Sequence, residues 1–179
     1  QLIALALLSF GGNAHAGVGA TTPFTSFEAE AGALGGGASI VSVTSAPTTQ
    51  YSSPELEAAG HAYVQLTTIG ESVTCTNTTG RDFPAIHLSS CIPAAHAGGG
   101  ITNTLDLYVN GNFRQAFSVN SRQNYCYEGT NYNGQVDKNP ADGHPRGFWN
   151  DTHAVIAGAA VAPGDTIMLR KDSTNTAAF

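Results

Sequence analysis

The chain predicts an all-β fold, an antiparallel β-sandwich with one long loop. Three observations point there. Helical periodicity is nearly absent; short runs alternate apolar and polar residues; and clusters of Gly, Asn, Pro and Thr separate those runs at the spacing of a sandwich. At 179 residues, 41% of them hydrophobic, the chain has the size and the apolar content of one domain with its own core.

The first ten residues are a short apolar run, followed by Gly11-Gly12-Asn13 and the small residues Ala14-His15-Ala16. That order fits the hydrophobic region and cleavage site of a secretory signal. The reading is a signal remnant over residues 1–16, lacking its Met and basic start, then a mature chain from Gly17, a linker over residues 17–26 and the sandwich over residues 27–179. Next comes Phe27-Glu28-Ala29-Glu30-Ala31-Gly32, with two carboxylates two residues apart among side chains too small to cover them. On a strand both would face one way, about 7 Å apart, and a hard cation such as calcium between them would relieve their repulsion. An exposed edge strand with solvated carboxylates is the alternative.

Further along, Val64 and Leu66, then Val73 and Cys75, then Ile86 and Leu88 each alternate with polar neighbours and offer one apolar face. Leu105, Leu107 and Val109 do the same, and Asn110-Gly111 then supplies residues that tolerate positive φ before an apolar run returns from Phe113. That pattern predicts a hairpin. Pro163-Gly164-Asp165 turns the chain into a last strand with Ile167 and Leu169 inward. The chain stops at Ala177-Ala178-Phe179 as another apolar run begins, which reads as a strand cut short.

The formal net charge is −6 and the seven Lys and Arg are scattered, so no basic stripe is available for a phosphate backbone. Nucleic acid is not an expected partner. Beyond the leader no segment is long and apolar enough to span a bilayer, so a secreted, extracellular protein without a membrane anchor is expected. Cys75, Cys91 and Cys126 lack CxxC spacing, which argues against a zinc-thiolate site. In an oxidising compartment Cys91 and Cys126 are read as one disulfide, and Cys75 as a small buried hydrophobe.

Residues 120–151 break the strand rhythm. They hold Tyr125, Tyr127, Tyr132, Phe148 and the only tryptophan, Trp149, interleaved with asparagines and aspartates. Aromatic faces complement the C–H face of a pyranose, and amides and carboxylates satisfy its hydroxyls, so this composition suits sugar. The alternative is that Trp149 and Phe148 plug one end of the sandwich, with Tyr125 and Tyr127 packed around a disulfide at Cys126. No spacing nominates two acids as a glycosidase pair, although Asp106, Glu128 and Asp137 are present. The six histidines form no HExxH or HxH pattern, and His87 reads as solvated or hydrogen-bonded. The Gly35-Gly36-Gly37 and Gly98-Gly99-Gly100 runs read as turns, and Asn77-Thr78-Thr79 and Asn150-Asp151-Thr152 match the glycosylation pattern.

Taken in order, Phe27 to Gly32, Gly60-His61-Ala62-Tyr63-Val64, the Leu105 to Gly111 hairpin, and Trp149 ahead of Ala162-Pro163-Gly164-Asp165-Thr166-Ile167 resemble carbohydrate-binding module families six and thirty-five, which are galactose-binding-like jelly rolls. More narrowly, residues 27–179, with the Tyr/Asn loop and Phe148-Trp149-Asn150-Asp151-Thr152-His153, are similar to the N-terminal sandwich of secreted α-1,3-glucanase-type glycoside hydrolases, the mutanases and mycodextranases. The resemblance implies structural calcium held by Glu28 and Glu30, with a further Asp beyond Phe179. It also implies a sugar-stacking role for Trp149, a hydroxyl-binding amide at Asn175 and an opposing platform at Tyr51. The function expected from it is a non-catalytic, α-glucan-directed sandwich that docks on, or delivers polysaccharide to, a downstream β-helix domain bearing the catalytic acids. The rivals are a free-standing lectin-like module and a domain that hydrolyses glycan itself through Asp137 or Glu128.

Overall fold

A computed structural model of the chain describes residues 24–44, 54–92, 101–121 and 149–175, and the backbone pairing of three strands between the last two of these segments. The elements are strands β1 (Ala33–Gly35), β2 (Ser39–Ser42), β3 (Ala62–Gln65), β4 (Ser72–Thr76), β5 (Ala85–Ser90), β6 (Thr102–Val109), β7 (Asn112–Asn120), β8 (Tyr125–Glu128), β9 (Val136–Asp137), β10 (His144–Gly147), β11 (Asn150–Val155) and β12 (Thr166–Arg170), with three single-turn 3-10 segments. Every pairing between them is antiparallel. The all-β expectation is borne out, and among the described residues no helix is long and apolar enough to cross a membrane.

The main sheet has the order β1-β4-β12-β6-β7. Its inner face meets the two-stranded β5–β11 layer. Leu107, Val109, Phe117 and Ile167 from the sheet, with Ile156 and Val161, form the buried core, and Ile86, Leu88 and Ala154 close over it from the second layer. These are the apolar members of the alternating runs, so period-two patterning sets which face is buried.

The Asn110–Gly111 hairpin forms as predicted. Asn110 and Gly111 adopt φ of 50° and 74°, and Val109 pairs with Asn112 across a two-residue turn. Asn110 also ties the hairpin to β12: its Oδ1 accepts from the Thr166 N–H at 2.9 Å and its Nδ2 donates to Asp165 Oδ1 at 2.7 Å. Gly36 adopts φ of 67° where the chain crosses the β3–β4 connection, and a β-carbon there would lie 2.3 Å from the Gly70 carbonyl oxygen. Only glycine fits such an approach.

Two expectations about local structure are corrected. The Glu28–Glu30 segment is not a strand: Ala29–Ala31 is a 3-10 turn closed by bonds from the Ala31 N–H to the Glu28 carbonyl (3.1 Å) and from the Gly32 N–H to the Ala29 carbonyl (2.9 Å). With about three residues per turn, side chains two apart diverge, so the two carboxylates do not share a face. The stretch over residues 120–151 is not free of regular structure either. It carries a three-stranded sheet in the order β10-β8-β9, whose strands hide in the sequence because Tyr, Pro, His and Arg replace the usual apolar alternation.

Candidate functional site

On β6, Leu105, Leu107 and Val109 point into the core, which leaves Thr104, Asp106 and Tyr108 on the opposite face of the main sheet. On β12 the same alternation turns Ile167 inward and leaves Met168 and Arg170 outside. The register sets Arg170 beside Asp106 and Met168 beside Tyr108, which places a cation opposite an acid. Asp172, just past β12, completes the group.

Its hydrogen bonding is dense. Arg170 Nε donates to Asp172 Oδ1 at 2.8 Å, Tyr108 Oη donates to Asp172 Oδ2 at 2.6 Å, and an Arg170 terminal nitrogen donates to Tyr108 Oη at 2.5 Å. The guanidinium carbon lies 4.3 Å from the Tyr108 ring centroid, and Phe113 packs edge-on to the same ring at 5.6 Å. Asp106 is only 8% exposed. Burial raises its carboxyl pKa to about 6, and its hydrogen bond to Asp172 and the charge there add to the rise against the pull of Arg170. The Asp172 carboxyl is held below its usual range by the hydrogen bond from Asp106 first, then by those from Tyr108 and Arg170. Two carboxyls thus share a proton.

A second ionised group sits under the β3–β4 connection. The Glu71 carboxylate accepts from the backbone N–H of Thr67 and from that of Thr68, the latter at 2.9 Å, and these bonds lower its pKa. Lys171 is 4% exposed and donates from Nζ to the Thr67 carbonyl at 2.9 Å. Burial pulls the Lys171 ammonium pKa down and Glu71 opposes that shift.

Of the residues singled out from the sequence, Trp149 is half-buried. Its indole N–H donates to the Pro54 carbonyl at 2.9 Å and its ring meets Tyr63 edge-on at 5.6 Å. Asn175 is 3% exposed, and its amide oxygen accepts from Thr104 Oγ1 at 2.5 Å and Thr174 Oγ1 at 3.3 Å. Among the described contacts Trp149 and Asn175 share no partner. Tyr125 and Tyr127 lie on β8, paired with Gly147 and Pro145 of β10, and their side chains are outside the described residues. Tyr51 and Tyr132 fall outside them altogether. Cys91 follows β5 and is half-buried; the Cys126 side chain, and so the Cys91–Cys126 disulfide, is outside the described residues. Cys75 is half-buried on β4, with burial raising its thiol pKa.

Glu28 is exposed and Glu30 half-buried, and among the described residues no three His, Cys, Asp or Glu side chains are grouped to hold a metal ion. The two glutamates supply at most a partial shell for calcium, which takes about six to eight oxygens. Asn77 of the first glycosylation pattern is 1% exposed, and its Nδ2 donates to the carbonyls of Arg81 (2.8 Å) and Val161 (3.2 Å), so in the fold it is a bracing amide. The Asp106–Asp172 group escaped sequence reasoning because its strands meet across 64 residues, counted from Tyr108 to Asp172. The one local signal was an acid on the polar side of an apolar strand.

Comparison with known proteins places this framework. The family model for the alpha-1,3-glucanase catalytic domain D1 matches residues 21–179. Among solved structures, the catalytic domain of Agl-KA is 26% identical with a TM-score of 0.75, the match covering 89% of this chain and 27% of that one. The catalytic domain of a GH87 alpha-1,3-glucanase in complex with nigerose is 22% identical with a TM-score of 0.63, covering 84% and 25%. The catalytic unit of the thermostable GH87 alpha-1,3-glucanase from Streptomyces thermodiastaticus strain HF3-3 is 23% identical with a TM-score of 0.62, covering 89% and 26%. The chain spans about a quarter of the length of these solved structures. None of the curated proteins matches it.

These matches overturn the expectation of a non-catalytic binding sandwich, whether ahead of an enzyme or free-standing. The matching family is defined as a catalytic domain, and the structures on which the chain superposes are catalytic domains. The resemblance to α-1,3-glucanase-type glycoside hydrolases, drawn from motifs in their order along the chain, agrees with the family match, and the non-catalytic role inferred from it does not. Matched from residue 21 to residue 179, the chain belongs to the alpha-1,3-glucanase catalytic domain D1 family, within the glycoside hydrolases.

Proposed function

We propose that this chain forms the D1 part of the catalytic unit of an enzyme that hydrolyses α-1,3-glucan. The family match over residues 21–179 carries the reading. Related catalytic domains held nigerose and tetrasaccharides, which supports an α-glucan as the polysaccharide.

Glycoside hydrolysis uses one carboxylic acid to protonate the leaving oxygen and one carboxylate as base or nucleophile, about 5–9.5 Å apart across the scissile bond. Asp106 and Asp172 are hydrogen-bonded to each other, closer than that range, and Asp172 is further committed to Arg170 and Tyr108. Their geometry suits bracing of the sheet that the unit is built on. A β-helix of the same protein as the partner of this domain is part of the proposal, supported by the sequence resemblance alone. Secretion is part of the proposal, supported by the apolar run ahead of Ala14-His15-Ala16. So is calcium at Glu28 and Glu30, supported by that pair alone. The likeness to binding-module families six and thirty-five rests on sequence motifs, and the hydrolytic reading does not depend on it.

Release of reducing sugar by the whole protein from α-1,3-, α-1,4- and β-1,3-glucans tests the reading. Hydrolysis of the α-1,3 polymer alone is expected. A folded protein that leaves the α-1,3 polymer intact, or prefers another linkage, overturns it.

A further inference from the structure

The outer face of the β5–β11 layer carries an exposed pair of histidines. His87 and His153 stand directly opposite each other in the strand register, both exposed, with ring centroids 4.0 Å apart and planes tilted by 41°. Asp151, two residues before His153 on the same face, brings Oδ2 to 3.3 Å from His87 Nε2. That contact is longer than the about 2.7–2.9 Å of a charge-assisted hydrogen bond. The rest of this face is Ala85 and Ser89 from β5 and Val155 from β11. No cation stands beside the imidazoles on either strand.

Protonated together the two imidazoles repel, as like charges directly opposite on a sheet do. Neutral, each presents a lone pair, and imidazole suits zinc, nickel and copper. Metal–nitrogen bonds of about 2.0–2.1 Å set neighbouring ligand atoms about 3–3.4 Å apart, and these two exposed rings have their centroids 4.0 Å apart. The 55–56% exposure of the His87 and Asp151 side chains leaves room for water to fill the remaining positions.

We propose that His87 and His153 form an open two-imidazole chelate for a divalent zinc-, nickel- or copper-type ion, bridging β5 to β11, with Asp151 as its counter-charge. Two fixed ligands make an exchangeable site, unlike the closed four-ligand shell of a structural zinc. Binding cross-links the two strands of the second layer, so it raises the unfolding temperature.

The test titrates the untagged full chain with copper(II), and with zinc(II), at pH 7.5. Binding is followed by calorimetry, by thermal unfolding and by the nitrogen hyperfine signature of bound copper. One equivalent, a two-nitrogen signature and a rise in unfolding temperature are expected. His87→Asn and His153→Asn each remove the two-nitrogen signature, and Asp151→Asn weakens binding about tenfold. All three positions are exposed, and circular dichroism verifies that the variants fold. An isotherm unchanged in the His87→Asn/His153→Asn double variant places the metal on other histidines and overturns the proposal, as does wild-type protein that binds no stoichiometric metal.

Discussion

Asp106 and Asp172 share a hydrogen bond on the outer face of the main sheet, and the fold moves their carboxyl pKa values in opposite directions, one up to about 6 and the other down. A raised acid holds its proton in the folded state after the unfolded chain has lost it. Its contribution to stability is full below about pH 4 and is lost as the pH rises through about 6. The lowered partner does the reverse, contributing above about pH 4 and losing that contribution in stronger acid. The pair is therefore most stabilising at about pH 4, where the first contribution is still nearly whole and the second is already present.

Asp106→Asn keeps the shape and the donor of the protonated acid and removes its titration. The variant is expected to match wild type at about pH 4 and to be more stable at pH 8 by about 1–3 kcal/mol, the value of a shift of about two pKa units. Urea unfolding at both pH values measures it. Equal stability changes at about pH 4 and pH 8 would show that Asp106 does not carry the proton.

Glu71 carries the opposite sign. Its carboxylate receives the N–H groups of Thr67 and Thr68, and its pKa is lowered, so its stabilisation is present at neutral pH and disappears as acid protonates it. Glu71→Gln keeps one acceptor oxygen and loses the charge beside buried Lys171. The expected cost is about 1–3 kcal/mol at pH 7, shrinking below pH 4. Denaturant titration across that range reads the convergence of the two proteins.

Trp149 is fixed by the Pro54 carbonyl and by the edge of Tyr63. Trp149→Phe is expected to cost about 1 kcal/mol through the unmatched carbonyl. Trp149→Ala is expected to cost about 2–4 kcal/mol, below the full burial value because the side chain is only half-buried. An unchanged unfolding temperature in the alanine variant would mean that these contacts do not brace the chain.

What could be read in advance was local. Asn110-Gly111 between alternating runs gave its hairpin because the turn type depends on two adjacent φ values, and Ile167 and Leu169 faced inward because alternation needs no partner. What could not be read lies in pairings across the chain. That β12 enters between β4 and β6 depends on which strands meet, and nothing in the spacing of Asp106, Arg170 and Asp172 shows it. The same holds for Trp149 and Pro54, 95 residues apart, and for His87 and His153, each unremarkable in its own strand. The Glu-x-Glu pattern failed for a different reason: period two was assumed where alanines and a glycine favoured a 3-10 turn.

That turn sets the last prediction. Glu28, ahead of the turn, and Glu30, inside it, diverge, so calcium bound there would take its other oxygens from backbone carbonyls, water or residues beyond those described. Few carboxylates and a small preformed shell put the affinity near the weak extracellular range, about 0.1–1 mM. At ten times that dissociation constant the gain is about 1–2 kcal/mol, or about 3–6 °C in unfolding temperature for a domain of this size. Thermal unfolding in calcium and in chelator should therefore differ by that amount in wild type and by nothing in Glu30→Gln. A calcium shift that survives Glu30→Gln removes the pair from the ligand set, because a site with so few protein carboxylates does not keep its affinity when one becomes an amide.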